Sequence, residues 1–180
     1  MPFSFTPGPI EGLVIIEPRI FPDERGFFME TFKQSDFATA GIPGPFVQDN
    51  HSRSSRGTLR GLHFQRPPYA QGKLVRVTRG AVWDVAVDLR RTSSTYGKWY
   101  ALELSAQNHL MFWIPPGFAH GFVALEDDTE LQYKCTAEYH APSDGGVRWN
   151  DPDLAITWPM LDVLVSPKDA SLPFLKELFL

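Results

Sequence analysis

One segment of this 180-residue chain has the residue types to do chemistry: Arg60-Gly61-Leu62-His63-Phe64-Gln65. Its flanks read as strands. Lys73 follows in Gln71-Gly72-Lys73-Leu74-Val75-Arg76-Val77. A histidine titrates near neutrality and can accept a proton. A lysine and an arginine can stabilise an oxygen on which negative charge develops. A base and two cations around one cavity suit removal of a proton from carbon beside a carbonyl, in an anionic substrate.

Charge supports a small anionic ligand. The net charge of −4 excludes a broadly basic nucleic-acid binder. Between His51 and Arg91, however, stand Arg53, Arg56, Arg60, Arg66, Lys73, Arg76, Arg79, Arg90 and Arg91 against only Asp84 and Asp88. A local positive field in an acidic chain favours a compact anion over a polymer. The single cysteine, Cys135, permits no intramolecular disulfide and no cysteine-rich zinc site. In its strand-like setting it reads as a small buried residue. No charged-then-apolar leader and no long apolar span is visible, so the chain is expected to be soluble and cytoplasmic, with no membrane partner.

The elements that must position these residues are mostly strands. Phe, Pro and Gly are frequent and helix-favouring runs are few. Leu13 to Pro18 and Phe27 to Phe32 read as strands around the turn Asp23-Glu24-Arg25-Gly26, resembling a hairpin. Ser35 to Gly41 reads as a short helix. Phe46 to Ser52 returns to strand. Lys73 to Thr78 and Val82 to Leu89, around Arg79-Gly80, are expected to pair as a second hairpin. Alternation in the latter sets Trp83, Val85, Val87 and Leu89 on one face and Asp84, Ala86 and Asp88 on the other. Asp84 and Asp88 read as exposed strand residues, with Asp84 alternatively joining a pocket's polar network. Tyr100 to Leu104, His109 to Ile114, Gly121 to Leu125 and Thr129 to Thr136 continue the series. A final short helix is expected near Leu172 to Leu178. The whole, residues 1–180, reads as one all-β domain, a sandwich or barrel with a few short helices near its termini.

Two patterns resemble the motifs of cupin jelly rolls. Gly57 precedes His63 at one motif's spacing, and Pro115-Pro116-Gly117-Phe118-Ala119-His120 has the other's proline, glycine and histidine. Metal-binding cupins need a His-x-His pair and a nearby glutamate. Here Gln65 takes the second histidine's place and no glutamate lies between Gln65 and Gly80. Two histidines are too few for an ordinary catalytic metal, so no metal is expected.

Longer stretches are more specific. They are Asp23-x-Arg25-Gly26-x-Phe28-x-Glu30, Gln48-Asp49-Asn50-His51-Ser52, Leu59 to Gln65, Lys73 to Val77, Asp84 to Arg90 and Ile114-Pro115-x-Gly117-Phe118-Ala119-His120-Gly121-Phe122. Tyr133-Lys134, Tyr139, Trp149-Asn150-Asp151-Pro152 and Ser166-x-Lys168-Asp169 complete them. In that order, over essentially the whole chain, they strongly resemble the dTDP-4-dehydrorhamnose 3,5-epimerase family.

The resemblance implies a cupin-like jelly roll, a homodimer, no cofactor, and epimerisation of dTDP-4-dehydro-6-deoxy-D-glucose at C3 and C5 to dTDP-4-dehydro-L-rhamnose. It implies that His63 is the base, Asp169 its partner, Tyr133 the acid on the opposite face of the sugar and Lys73 the stabiliser of the enolate oxygen. It further implies that Arg25, Glu30, Gln48, Asn50, Arg60, Lys168 and Asp144 bind the nucleotide, that Tyr139 stacks on its base and that His120 lines the sugar pocket. Asp144 stands where a glutamate is expected. The hairpin over about 13–32, with Arg25 and Glu30, is expected to reach across to the partner subunit. Taken singly, each of these residues has an ordinary structural explanation; the ordered set assigns the roles. Three alternatives stay open: a relative that inverts only C3 or only C5, a metal-dependent cupin oxygenase, and a non-catalytic sugar-nucleotide binding module.

Overall fold

A computed structural model describes residues 2–178. The chain begins with β1 (Phe3–Pro7), β2 (Val14–Pro18), β3 (Phe21–Asp23) and β4 (Gly26–Phe28), then helix α1 (Gln34–Thr39). There follow β5 (Gln48–Ser54), β6 (Thr58–Gln65), β7 (Lys73–Arg79), β8 (Ala81–Asp88), β9 (Trp99–Ser105), β10 (Met111–Ile114), β11 (Phe118–Ala124) and β12 (Thr129–Cys135). The last third adds β13 (Asp144–Gly146), β14 (Leu164–Val165) and α2 (Pro167–Ala170).

Two sheets face each other. One runs β1-β2-β10-β7-β12-β5 and the other β13-β6-β11-β8-β9, with β14 parallel to β6. This is the expected all-β, cupin-like jelly roll. The alternation in β8 shows how it is built. Val82 and Ala86 face inward, into a core shared with Val75, Phe112 and Leu131 of the opposite sheet. Val85, Val87 and Leu89 face outward, against Val147, Leu154 and Trp158 of the C-terminal segment. A third cluster, with Phe37 of α1 packed on Leu74, Met111 and Trp113, covers the outer face of the first sheet. Every residue of β8 except the partly buried Trp83 is buried, so the expectation that Asp84 and Asp88 are exposed fails; both are fully buried.

Three sequence expectations are corrected. The strands β7 and β8 do not pair: β7 lies between β10 and β12, and β8 between β9 and β11. Gly80, at φ +72°, turns the chain from one sheet to the other. Apolar alternation marks a strand but does not name its neighbour. The hairpin expected over about 13–32 is confined to β3 and β4, while β2 pairs with β1 and β10. Lastly, the C-terminal helix lies earlier, at Pro167–Ala170, and only a single 3-10 turn occurs at Leu175–Glu177.

Asp88 closes β8. Its carboxylate accepts from Arg90 Nε at 2.8 Å, Ser93 Oγ at 2.7 Å and Thr95 Oγ1 at 2.7 Å, pinning the turn into β9. Burial pushes its pKa up, but these hydrogen bonds outweigh it and hold the group at about 2. A carboxyl held below its unfolded value stabilises the fold above about pH 4 and ceases to as pH falls through the folded value. Asp88→Asn is therefore expected to lower the unfolding free energy by about 2 kcal/mol at neutral pH. In urea titrations that difference should shrink as pH is taken down toward the folded pKa. A difference independent of pH would contradict this account.

Candidate active site

The site starts from an irregularity in β6. Opposite β11, His63 pairs with His120 and Arg60 with Phe122. Three steps along β6 thus span two along β11, so β6 carries one extra residue, a bulge. Gly61 occupies it at φ +126°. In a regular strand, Arg60 and His63 would point to opposite faces. With the bulge both line the cavity between the sheets, while Leu59 and Leu62 both join the outer cluster.

The bulge also anchors the carboxylate. Gly61 N–H donates to Asp169 Oδ2 at 3.1 Å, and His63 Nε2 meets Asp169 Oδ1 at 2.7 Å. Asp169 sits in α2, whose N-cap Ser166 accepts from Asp169 N–H at 3.1 Å. Proline at the helix start suits that position because its missing N–H would go unused. Burial pushes the Asp169 pKa up, but the hydrogen bonds from His63 and Gly61 prevail and hold it below the usual carboxylate range. The group is therefore a carboxylate near neutrality, and Nε2 of His63 carries the hydrogen it accepts. That leaves Nδ1 with the free lone pair.

The facing sheet supplies the other groups. Tyr133 of β12 and Lys73 of β7 line the same cavity of about 380 Å³. Burial raises the Tyr133 pKa; the Cys135 side chain adds to this and Arg60 opposes it, so the phenol keeps its proton. Lys73 is 9% exposed, and burial lowers its pKa. Among the described residues its ammonium has no carboxylate partner; it donates to His63 O at 3.5 Å and lies 5.8 Å from the Tyr133 ring centre. A second histidine–carboxylate pair sits behind: His120 Nε2 lies 3.0 and 2.9 Å from the two oxygens of Asp84. Asp84 is thus the polar-network residue that the alternation of β8 left as an alternative to exposure.

The cavity continues past His63, Lys73, Tyr133 and Lys168 into a recess of about 140 Å³ lined by Tyr139 and Asp144. Lys168 Nζ pairs with Asp144 Oδ2 at 2.5 Å. Gln48 accepts from Tyr139 N–H at 2.7 Å and donates to Asn50 at 3.0 Å. Arg60 reaches the rim, where Ser54 Oγ accepts from it at 3.1 Å. Arg25 and Glu30 are not brought to this cleft: Arg25 is exposed and paired with Asp23, and Glu30 lies beside Arg19 and Lys33. The expected positive field is also thinner than its charges suggest. Arg53 and Arg79 pair with Asp128, Arg90 with Asp88, and Arg91 donates to Leu178 O. Sequence reasoning missed Ser166, Thr58 and Leu164 in the wall. The Ser-Pro helix start was the one available signal, for Ser166.

Among the described residues no group of three or more His, Cys, Asp or Glu gathers as a metal site, and no helix is long and apolar enough to cross a membrane.

The pattern that defines the dTDP-4-dehydrorhamnose 3,5-epimerase family matches residues 7–177. The chain is 58% identical over 171 residues to the dTDP-4-dehydrorhamnose 3,5-epimerase of Escherichia coli K12, covering 94% of this chain and 92% of that one. It superposes with TM-score 0.95 on a dTDP-6-deoxy-D-glucose-3,5-epimerase from Legionella pneumophila in complex with dTDP-4-keto-L-rhamnose, at 47% identity, covering 98% and 95% of the two chains. The enzyme of Elizabethkingia anophelis aligns at TM-score 0.94 and 47% identity over 98% of each chain.

The bulge makes a direct prediction. A Cβ at Gly61 would come within 2.6 Å of Gly121 Cα and 2.9 Å of His120 O. Gly61→Ala is expected to cost about 2 kcal/mol or more, read as a lower urea midpoint. A variant as stable as its parent would contradict the close approach of β6 and β11.

Proposed function

The chain belongs to the dTDP-4-dehydrorhamnose 3,5-epimerase family, and on that premise we propose that it inverts C3 and C5 of dTDP-4-dehydro-6-deoxy-D-glucose to give dTDP-4-dehydro-L-rhamnose. The observation that carries this reading is the origin of the groups: His63 comes from one sheet, Tyr133 from the other, and a buried Lys73, with no carboxylate partner among the described residues, lies beside both.

Both carbons flank the C4 carbonyl, so both carry acidified hydrogens. Inversion needs a base on one face of the ring and an acid on the other. His63 takes the hydrogen from C3 or C5 onto Nδ1. Asp169 holds the tautomer and stabilises the imidazolium that forms. The electron pair moves onto O4, and the enolate oxygen gains the positive charge of Lys73, with Arg60 beyond it. A buried ammonium without an ionic partner is destabilised until negative charge develops near it, which favours the enolate over the ketone. Tyr133 then gives its phenolic proton to the opposite face of the same carbon. Solvent restores both residues. The proton transfers are redox-neutral and require neither metal nor cofactor. His120, held by Asp84, orients a sugar hydroxyl.

The nucleotide lies along the outer recess. Tyr139, largely exposed, offers a flat face to the base; Asp144 and Lys168 line the recess beside it, Arg60 lines the main cavity, and Gln48, bonded to Tyr139 N–H and to Asn50, completes the set that binds the phosphates and ribose. Arg25 and Glu30 act in a homodimer, carried by β3 and β4 to the partner's cleft. Their distance from this chain's own cleft and the exposure of Phe27 and Phe28 support that arrangement. The same reading makes the enzyme a single domain acting in the cytoplasm.

Proton NMR in D2O tests the reaction. Wild type is expected to bring deuterium into both C3 and C5 of the 4-keto sugar. His63→Ala should slow exchange at both carbons together, by about 10²-fold or more. Label at one carbon only in wild type would mean a single-site epimerase. Exchange surviving at one carbon in His63→Ala would overturn the single base.

A further inference from the structure

Between β12 and β13, residues 137–140 carry Tyr139 through a stretch with no strand partner. Side-chain amides meet the backbone there instead. Gln71 Nε2 donates to Ala137 O at 2.8 Å, and Gln65 Nε2 donates to Glu138 O at 3.1 Å. Gln48 Oε1 accepts from Tyr139 N–H at 2.7 Å, and Gln65 Oε1 accepts from His140 N–H at 2.7 Å. Gln65 Nε2 also donates to Tyr69 O at 2.7 Å, and the Tyr69 ring stacks on His140 at 3.7 Å. Gln65 is 6% exposed, and both its amide hydrogens and its oxygen are in use. Its backbone neighbour across the ladder is Asp144.

An irregular, half-buried segment needs partners for its N–H and C=O groups, and removing one partner leaves the other desolvated and unpaired. Gln65 thus brackets Tyr139, holding the carbonyl before it and the N–H after it, while Gln48 accepts the N–H of Tyr139 itself. Gln65 lies on the same inward row of β6 as His63, two residues further on, so one strand registers the base at one end of the cleft and the Tyr139 recess at the other.

We propose that Gln65 is a positioning residue for nucleotide binding, acting through the 137–140 segment on Tyr139 and leaving proton transfer untouched. This deepens, and rests on, the reading of Tyr139 as the surface on which the nucleotide base stacks. Gln71, which holds the same segment by one hydrogen bond, acts in the same direction and more weakly.

The test uses Gln65→Leu and Tyr139→Ala, singly and combined, in the full chain. For Gln65→Leu, KM for the dTDP-4-keto sugar should rise about tenfold and the affinity for dTDP alone should fall by about the same factor. kcat, and deuterium exchange at saturating substrate, should stay within about threefold of wild type. The double variant should bind dTDP no more than about twofold more weakly than Tyr139→Ala, because both changes act through one group. Additive losses, a kcat that falls while KM holds, or unchanged dTDP affinity in Gln65→Leu would each overturn the proposal. If Tyr139→Ala itself binds dTDP as wild type does, the stacking reading fails and this inference falls with it. If Tyr139→Ala binds weakly and Gln65→Leu does not, the inference fails alone. Should Gln65→Leu not fold, Gln71→Leu replaces it, with an expected rise in KM of about threefold at constant kcat; an unchanged KM there overturns the proposal.

Discussion

One extra residue in β6, at Gly61, is the constraint on which the site depends. It breaks the period of two, so that Arg60 and His63 share a face that a regular strand would divide between them. It also aims a backbone N–H at Asp169, so the carboxylate that orients His63 is itself held by the strand that bears His63. The N-cap of α2 supplies the third contact, through Ser166. Only glycine fits, because a side chain would meet the backbone of β11 and because φ is positive. The positions of base, partner and arginine therefore follow from one local choice in the sequence.

The jelly roll contributes the second requirement, two opposed surfaces. Its core strands alternate between a shared interior and two outer layers, and both layers are covered, by α1 on one side and by the C-terminal segment on the other. Polar residues that point inward near one end of the interior are then buried in part or in full. This costs stability. Asp84 has His120, and Asp169 has His63 and Gly61, but among the described residues Lys73 has only a carbonyl at 3.5 Å. The fold tolerates that buried cation next to a phenol whose pKa burial has raised. In a catalyst for enolate formation, that imbalance in the resting protein becomes stabilisation when negative charge arrives.

Much of this was legible in the sequence, for reasons that differ by residue. The alternation of Val82 to Leu89 assigned residues to the two faces correctly, but it read Asp84 and Asp88 as exposed where both are buried; only the alternative for Asp84, a pocket's polar network, holds. The pairing of β7 with β8 was misread, because alternation carries no information about which strand lies alongside. Asp169 stands far from His63 in the chain, and no local pattern joins them; the family resemblance alone brought Asp169 forward. Gln65 was noticed only as the residue replacing a metal-binding histidine. Its work depends on carbonyls of Tyr69 and Glu138 that no spacing rule connects to it. The basic run from Arg53 to Arg91 overstated the field, since most of its arginines are committed to Asp88, Asp128 or backbone carbonyls.

The central claim is that base and acid stand on opposite sheets and act in separate steps. Tyr133→Phe tests it most directly, by measuring deuterium wash-in from solvent and net inversion on the same sample of 4-keto sugar. The account predicts that proton removal by His63 continues while inversion falls by about 10²-fold or more, so that deuterium enters with retained configuration. Equal loss of exchange and inversion would contradict it and would make Tyr133 part of the proton-removing step or of the cavity's structure.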